Sequence, residues 1–455
     1  MSAIDIQEEF LPRGCRVIDF PPSSDERGNL SAAEHGKQIP FAIERVFWIY
    51  DIPAATERGS HSHNESAEVL VALHGAFDLL LDDGHRTATL HLDSASRGVL
   101  VAPGVWSTLK NFLPGSVCMV LASHPYNASG YINDYATYRN ELVSVVPYTP
   151  DKQEEWDTFV EASKNGTFLF KRGYMDYHAL RFTDCSLLFY KENRLIALLP
   201  ANIVEEEHTV YSHGGLTYGG LILSDKATAV EALEVFSCAL DYMRTTLHAT
   251  RLLYKPVPHI YARTPSEEDL YALFRLGGVL KARTLSSAVY RDNLLPMRTL
   301  RRRGVAKAQK EGVVYEESRD LSLFWPLLTE VLQEKHHRAP VHTLQEMQLL
   351  MQRFPANIHL FLARLQGEVL AGSVVYESPR VAHAQYIAAG PRGRALGALD
   401  GLFSYLIEER FAGKGYFDFG ISTEEEGRVL NEGLLFQKEG FGARSVVYDT
   451  YEVQL

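Results

Sequence analysis

Six short runs between Glu44 and Ser123 alternate apolar with polar residues: ERVFWIYDI, AEVLVALHG, AFDLLLDD, TATLHLD, GVLVAP and SVCMVLAS. A period of two marks a strand with one face buried. Turn signals such as DDGH and LPGS separate the runs. Many short, evenly spaced strands close into a sandwich or barrel, so this region is expected to be all-β. YINDYATYRNEL then reads as a closing helix, followed by VSVVPYTPDK. The proline-marked stretch Pro147–Asp151 ends a first domain read as residues 1–146.

Beyond residue 152 the period lengthens. EEWDTFVEASKN, EALEVFSCALDYMRTTL and LDGLFSYLIEERFAG carry helical patterns between strand-like runs, which indicates α+β material. LLFYKENRLIALLPANI from Leu187 is similar to LFLARLQGEVLAGSVVY from Leu360. Each is a strand, a polar turn and a second strand, then a glycine-bearing segment. An offset of about 170 residues suits a duplicated domain, the other reading being two hairpins alike by chance. The join falls in RDNLLPMRTLRRRG, so the copies are read as 152–295 and 296–455.

A chain with 46% hydrophobic and 22% charged residues can fill several soluble cores. Its net charge of −12 argues against a general nucleic-acid binder, because phosphate binding needs a basic surface. No apolar run approaches the roughly 20 residues of a membrane span. The opening MSAIDIQEEFLPRG is acidic and lacks an apolar stretch, and Cys15, Cys118, Cys185 and Cys238 form no CxxC. Reduced thiols and a cytoplasmic location are expected.

RGSHSHNESAEVLVALHG holds the first chemistry. Residues i and i+2 of a strand face one side, so His61 and His63 point together into the barrel. Gly59, His61, His63, Glu68 and Gly75 form a spaced set, with Gly98, Pro103, Gly104 and Asn111 in a second block. Two histidines and an acid can make a facial triad for a metal. Two neutral imidazoles without an ion suit proton transfer instead, since their pKa lies near working pH.

The spaced set resembles the first cupin motif. Where a third metal-binding histidine would stand in the second motif, this chain has Ser107 or Thr108. DERGNL, IERVFWIYD, ERGSHSH, EVLVALHGAFDLLLDDG, PGVWSTLKNF and LASHPYNASGYINDYATY are together similar to the cupin sugar 3,4-ketoisomerases. The resemblance implies a jelly-roll domain acting on dTDP-4-keto-6-deoxyglucose, with no metal and no cofactor. It implies His61 and His63 as the proton-moving pair and a homodimer formed through this domain. Tyr50 is the expected phenol. Arg27 and Arg58 are expected at the diphosphate, and Glu68 and Trp106 at the substrate. The rivals are a metal-dependent cupin enzyme and a module that only senses the sugar nucleotide.

In the second half, TLRRRGVAKAQKEG puts Arg303, Lys307 and Lys310 on one helix face beside Arg301 and Arg302. GPRGRALGALDGLF is a glycine-rich turn feeding a helix, where Arg392, Arg394, Gly397 and Ala398 would suit a pyrophosphate. With SHGGLTYGGLI and NEGLLFQKEGFGA these segments resemble tandem, Fem-like GNAT acyltransferases. The resemblance implies acyl transfer to an amine, with acetyl-CoA the default co-substrate and an aminoacyl-tRNA-dependent ligase the rival. Asp418, His383, Glu424 and Tyr386 are the candidate bases. The whole is read as a multidomain enzyme: an all-β cupin domain, then α+β tandem GNAT domains.

Overall fold

A computed structural model describes residues 11–84 and 86–455. Most of the acidic opening segment, on which the location rests in part, lies outside them. The described chain divides into two compact units, residues 11–142 with 191–193, and the remainder.

The first unit is built from twelve strands. They are β1 (Arg16–Asp19), a hairpin of β2 (Ser23–Asp25) and β3 (Gly28–Leu30), β4 (Arg45–Ile49), β5 (Arg58–His63), β6 (Glu68–His74), β7 (Phe77–Asp82), β8 (Thr87–Leu92), β9 (Arg97–Val101), β10 (Trp106–Lys110), β11 (Val117–Ala122) and β12 (Tyr131–Ile132). Each of the six alternating runs is one of these strands. They form two five-stranded antiparallel sheets, ordered β1-β9-β6-β11-β4 and β12-β5-β10-β7-β8. Alternation on β6 shows how the jelly roll is sealed. Leu70 and Ala72 join one core with Phe77, Leu79, Leu81 and Val120. Val69 and Val71 join a second with Ile18, Phe20, Ile39 and Leu121. Tyr135–Glu141 forms the closing helix, capped by the Asp134 side chain on the Thr137 N–H.

The strand Ser144–Pro147 pairs with residues 187–190 of the second unit, so the boundary read at residue 146 falls inside a paired strand. The expected helices appear at Gln153–Ala162, Ala229–Thr245 and Ala398–Tyr405, and the basic one at Thr299–Lys310. One sheet of eleven strands carries elements of both halves. Within it Arg444–Gln454 lies between Arg251–Tyr254 and Val279–Tyr290. Val381–Ala389 pairs in parallel with Tyr416–Ile421, but only over Val381↔Tyr416, Ala382↔Phe417 and His383↔Asp418. Past that point the two strands part. No described helix is long and apolar enough to cross a membrane.

Candidate functional sites

The histidine pair owes its aim to a bulge. Gly59 and Ser60 both have positive φ, and the β5–β10 register slips between Ser107 and Thr108. A Cβ on Gly59 would stand 2.9 Å from the Ser107 carbonyl oxygen, so this close approach requires glycine. The slip turns the end of β5 so that the His61 and His63 rings meet edge to face, centroids 4.8 Å apart. Tyr131 on β12 lies 4.9 Å from His61 and 4.3 Å from His63.

Glu68, the first residue of β6, shares the inward face of Leu70 and Ala72. Its Oε1 lies 3.2 Å from His63 Nε2, without the alignment of a hydrogen bond. Arg45 on β4 reaches Glu68 Oε1 at 3.4 Å and the Tyr131 hydroxyl at 3.3 Å. Arg45 also lies over Phe47, and its Nε is buried with no partner among the described residues. Burial, helped by the neighbouring His63, lowers the pKa of His61 below its ordinary 6.5, which keeps that ring neutral.

His61, His63 and Glu68 bring their ligand atoms within 4.8 Å of one another, the spacing a cation could draw together. The guanidinium of Arg45 already stands on the carboxylate, and Ser107 faces His61 across the ladder, adding no further imidazole to the three. A metal would have to displace that cation and do without a further imidazole, so the donor set fits an ion poorly.

Other expected residues stand elsewhere. Tyr50 follows β4 on its outward face, 56% exposed, beside Trp48 at 61% and Val46 at 48%. The phenol at the histidines is Tyr131. It lies inside the quoted block YINDYATY, and only the fold of β12 onto β5 distinguishes it from its neighbours. Arg27 is exposed on the β2–β3 turn and paired with Asp25. Arg58 is exposed at the start of β5. The arginine at the site is Arg45, which sequence reasoning passed over. Trp106 is buried against Tyr135 and Tyr138 and donates to Thr108 Oγ1.

In the second unit the parting strands leave two connected spaces. One is a cleft of about 1020 Å³ lined by Lys255, His383, Tyr386, Glu424, Lys438 and Tyr448, among others. The other is a slot of about 190 Å³ walled by Ile387, Phe403, Phe419, Leu434 and Phe441, with Arg394 at its edge. Lys438 lines both. Its ammonium donates to the carbonyls of Gly420 (2.8 Å) and Ile421 (2.7 Å), and burial lowers its pKa to about 8.

Asp418 is fully buried at the last paired register of the parallel strands. Its Oδ2 meets His383 Nδ1 at 2.8 Å and accepts from the hydroxyls of Tyr448 (2.6 Å) and Tyr261 (3.1 Å). Its Oδ1 accepts from Ser286 (2.6 Å) and the Gly420 N–H (3.1 Å). Burial alone would raise its pKa. The His383 partner and these hydrogen bonds outweigh that and hold it down to about 2. Tyr386, also in the cleft, pairs with His342 Nδ1 at 2.6 Å.

The glycine turn differs from its expected use. Gly397 is left-handed (φ 70°) and breaks the helix, and a Cβ there would meet the Gly304 carbonyl oxygen at 2.4 Å. It lets two helices touch, beside an Arg301–Asp400 pair of 2.7 Å, while Ala398 is buried. Arg392 is exposed and paired with Glu368. Arg394 donates to the Ala389 carbonyl at 2.6 Å. Of the four, only Arg394 reaches the slot.

Residues 13–143 match the family described as WxcM-like, C-terminal (FdtA). Residues 297–426 match the acetyltransferase (GNAT) domain family. A curated TDP-4-oxo-6-deoxy-alpha-D-glucose-3,4-oxoisomerase of Aneurinibacillus thermoaerophilus is 38% identical over 130 residues, covering 29% of this chain and 94% of its own. The crystal structure of QdtA, a sugar 3,4-ketoisomerase from Thermoanaerobacterium thermosaccharolyticum in complex with TDP, is 32% identical, covers 29% of this chain and 96% of that one, and superposes with a TM-score of 0.28. The crystal structure of FemX covers 69% of this chain and 97% of that one, with 13% identity and a TM-score of 0.51, a likeness of fold.

Proposed function

Because the chain belongs through residues 13–143 to the sugar 3,4-ketoisomerase family, we propose that its first unit moves the carbonyl of dTDP-4-keto-6-deoxyglucose from C4 to C3. The observation that carries this reading is the His61 ring set edge to face on His63, with the Tyr131 ring against both. The reaction removes a proton from C3, passes through an enediol and delivers a proton to C4. A neutral imidazole accepts the first proton. Arg45 donates to the Tyr131 oxygen, which leaves the phenol's own proton free to be given to the sugar. The unpartnered Arg45 Nε suits an oxygen of the substrate. Incubation of the purified protein with this substrate in D₂O, followed by NMR, tests the reading. A 3-keto sugar carrying deuterium is expected; a sugar recovered unchanged and undeuterated would refute it.

The second unit is read as an N-acyltransferase acting on a dTDP-linked amino sugar, built from two copies of one fold, residues 152–295 and 296–455. What supports this is the parting of the parallel strands into a narrow apolar slot opening on a wider cleft. A thioester's arm suits the slot and an amine acceptor the cleft, so that proximity supplies much of the rate. Acetyl-CoA is the default donor. The net charge of −12 weighs against a tRNA-linked donor, although the helix Thr299–Lys310 keeps Arg302, Arg303, Lys307 and Lys310 exposed. Calorimetry of the full chain with acetyl-CoA, and then transfer to a dTDP-3-amino-3,6-dideoxyhexose, tests it. Absence of binding to any acyl-CoA would overturn it. The reading places the enzyme in the cytoplasm, with its sugar-nucleotide and acyl-CoA substrates. A homodimer is part of the reading, and the exposed Val46 and Trp48 on the edge strand β4, with Tyr50 just after it, suit burial by a second copy.

A further inference from the structure

We infer that His383 is the base that takes the amine proton, and that Asp418, locked by hydroxyls from both halves of the unit, sets its working face. The inference rests on the acyltransferase reading. Asp418 itself is unsuited to the task. Five groups already occupy its oxygens, and it has no exposed surface. Of the network, His383 and Tyr448 line the cleft, and of these two the imidazole is the one suited to take a proton near neutral pH. Its Nδ1 is committed to Asp418, which requires the proton on that nitrogen. Nε2 then carries the lone pair, and it has no hydrogen-bond partner among the described residues.

The step balances. Nε2 removes one proton from the acceptor ammonium. The freed amine attacks the thioester carbonyl carbon, the C–N bond forms and the C–S bond breaks. The imidazolium returns its proton to the departing thiolate, and the second amine proton goes to solvent.

The lock extends across the duplicated fold. Tyr448 comes from the strand Arg444–Gln454, whereas Tyr261 comes from a short helical turn in the first half. Their hydroxyls lie 3.0 Å apart and both reach Asp418 Oδ2, the oxygen that holds His383. Tyr261 is therefore a positioning residue. Each neutral donor on Oδ2 withdraws charge from the oxygen that His383 also uses. Removing one leaves a more strongly accepting carboxylate, which tightens its bond to the His383 Nδ1–H.

The test follows the His383 ring in the full chain by nitrogen NMR, assigned by loss of its signal in His383→Gln. Tyr261→Phe is expected to move the His383 Nδ1–H resonance downfield, as a tighter bond to Asp418 requires. Because the ring is held less well aimed, kcat should fall by about 10-fold, at unchanged KM for either substrate. His383→Gln is expected to lower kcat by about 10²–10⁴. Should Tyr261→Phe fold poorly, Tyr448→Phe removes the other phenol and carries the same expectation. An unmoved Nδ1–H resonance in the folded variant, or full turnover by His383→Gln, overturns the inference while leaving acyl transfer intact. A wild-type protein that binds no acyl-CoA defeats the reading beneath it, and is told apart because the NMR shift needs no substrate.

Discussion

At the scale of single residues, the two tyrosines make the sharpest contrast. Tyr131→Phe is expected to lower ketoisomerase turnover by about 10²-fold or more, and Tyr50→Phe to leave it within about twofold. His61→Asn and His63→Asn should each abolish it while the far-ultraviolet dichroism stays unchanged. NMR of the sugar product measures all four. The histidines were legible because a period of two orders residues on one strand, and Glu68 because it stands in the same spaced set at the head of the next strand. Arg45 and Tyr131 were not, because they arrive from other strands, and local spacing carries no information about which strands meet. The acyltransferase candidates His383 and Asp418 were visible as residue types. The hydroxyl partners of Asp418 lie up to 157 positions away, beyond any local pattern. A second residue-scale expectation concerns acid. Burial lowers the His342 pKa to about 4, from an ordinary 6.5. The unfolded chain takes up that proton below pH 6.5 and the folded one does not, so acidification from 6.5 toward 4 erodes stability through this group. Asp269, raised to about 6 by burial, works in the opposite sense below that pH. The difference between wild type and His342→Gln isolates the histidine. Urea unfolding of the variant should show a pH slope shallower by up to about 1.4 kcal/mol per pH unit across that window.

Among the elements, β5 is the one on which the first site depends. Its bulge needs Gly59, whose φ of 73° and 2.9 Å clearance from Ser107 leave no room for a side chain. Gly59→Ala is expected to cost about 1–3 kcal/mol and to misdirect both imidazoles, so that activity falls further than the loss of folded protein explains. Thermal melting and turnover per folded molecule check this. The glycine-rich turn at Gly390–Ala398 teaches the opposite lesson. Glycine and alanine at a helix start suit an anion cradle and a close helix–helix contact equally well, and here Gly397 serves the contact with Gly304. Strands were read well wherever one face is buried, since the alternation then reports directly on burial. Short pieces such as β12 have too few residues to show a period.

For the whole molecule, the two units have separate cores, the first in its two clusters around Phe77 and Val69, the second around Trp156, Phe189 and Phe403. A fragment ending at Leu142 is expected to fold and to retain ketoisomerase turnover within about threefold, whereas the parent chain alone should transfer acyl groups. Activity of the purified fragment on the keto sugar checks it. The change of texture after Pro147 made this division legible, but the sharing of one eleven-stranded sheet by both later halves was not, because pairing between distant strands leaves no local trace. That sheet has a consequence in time. Arg444–Gln454 is the plank between Arg251–Tyr254 and Val279–Tyr290, although it is synthesised more than 150 residues after either. While the ribosome is still working, the imidazole couple of the first unit can already be complete, whereas the Asp418 lock waits for Tyr448 to emerge. The nascent polypeptide thus acquires its two chemistries in sequence, and its second half must be kept from misassembly until translation has passed Gln454.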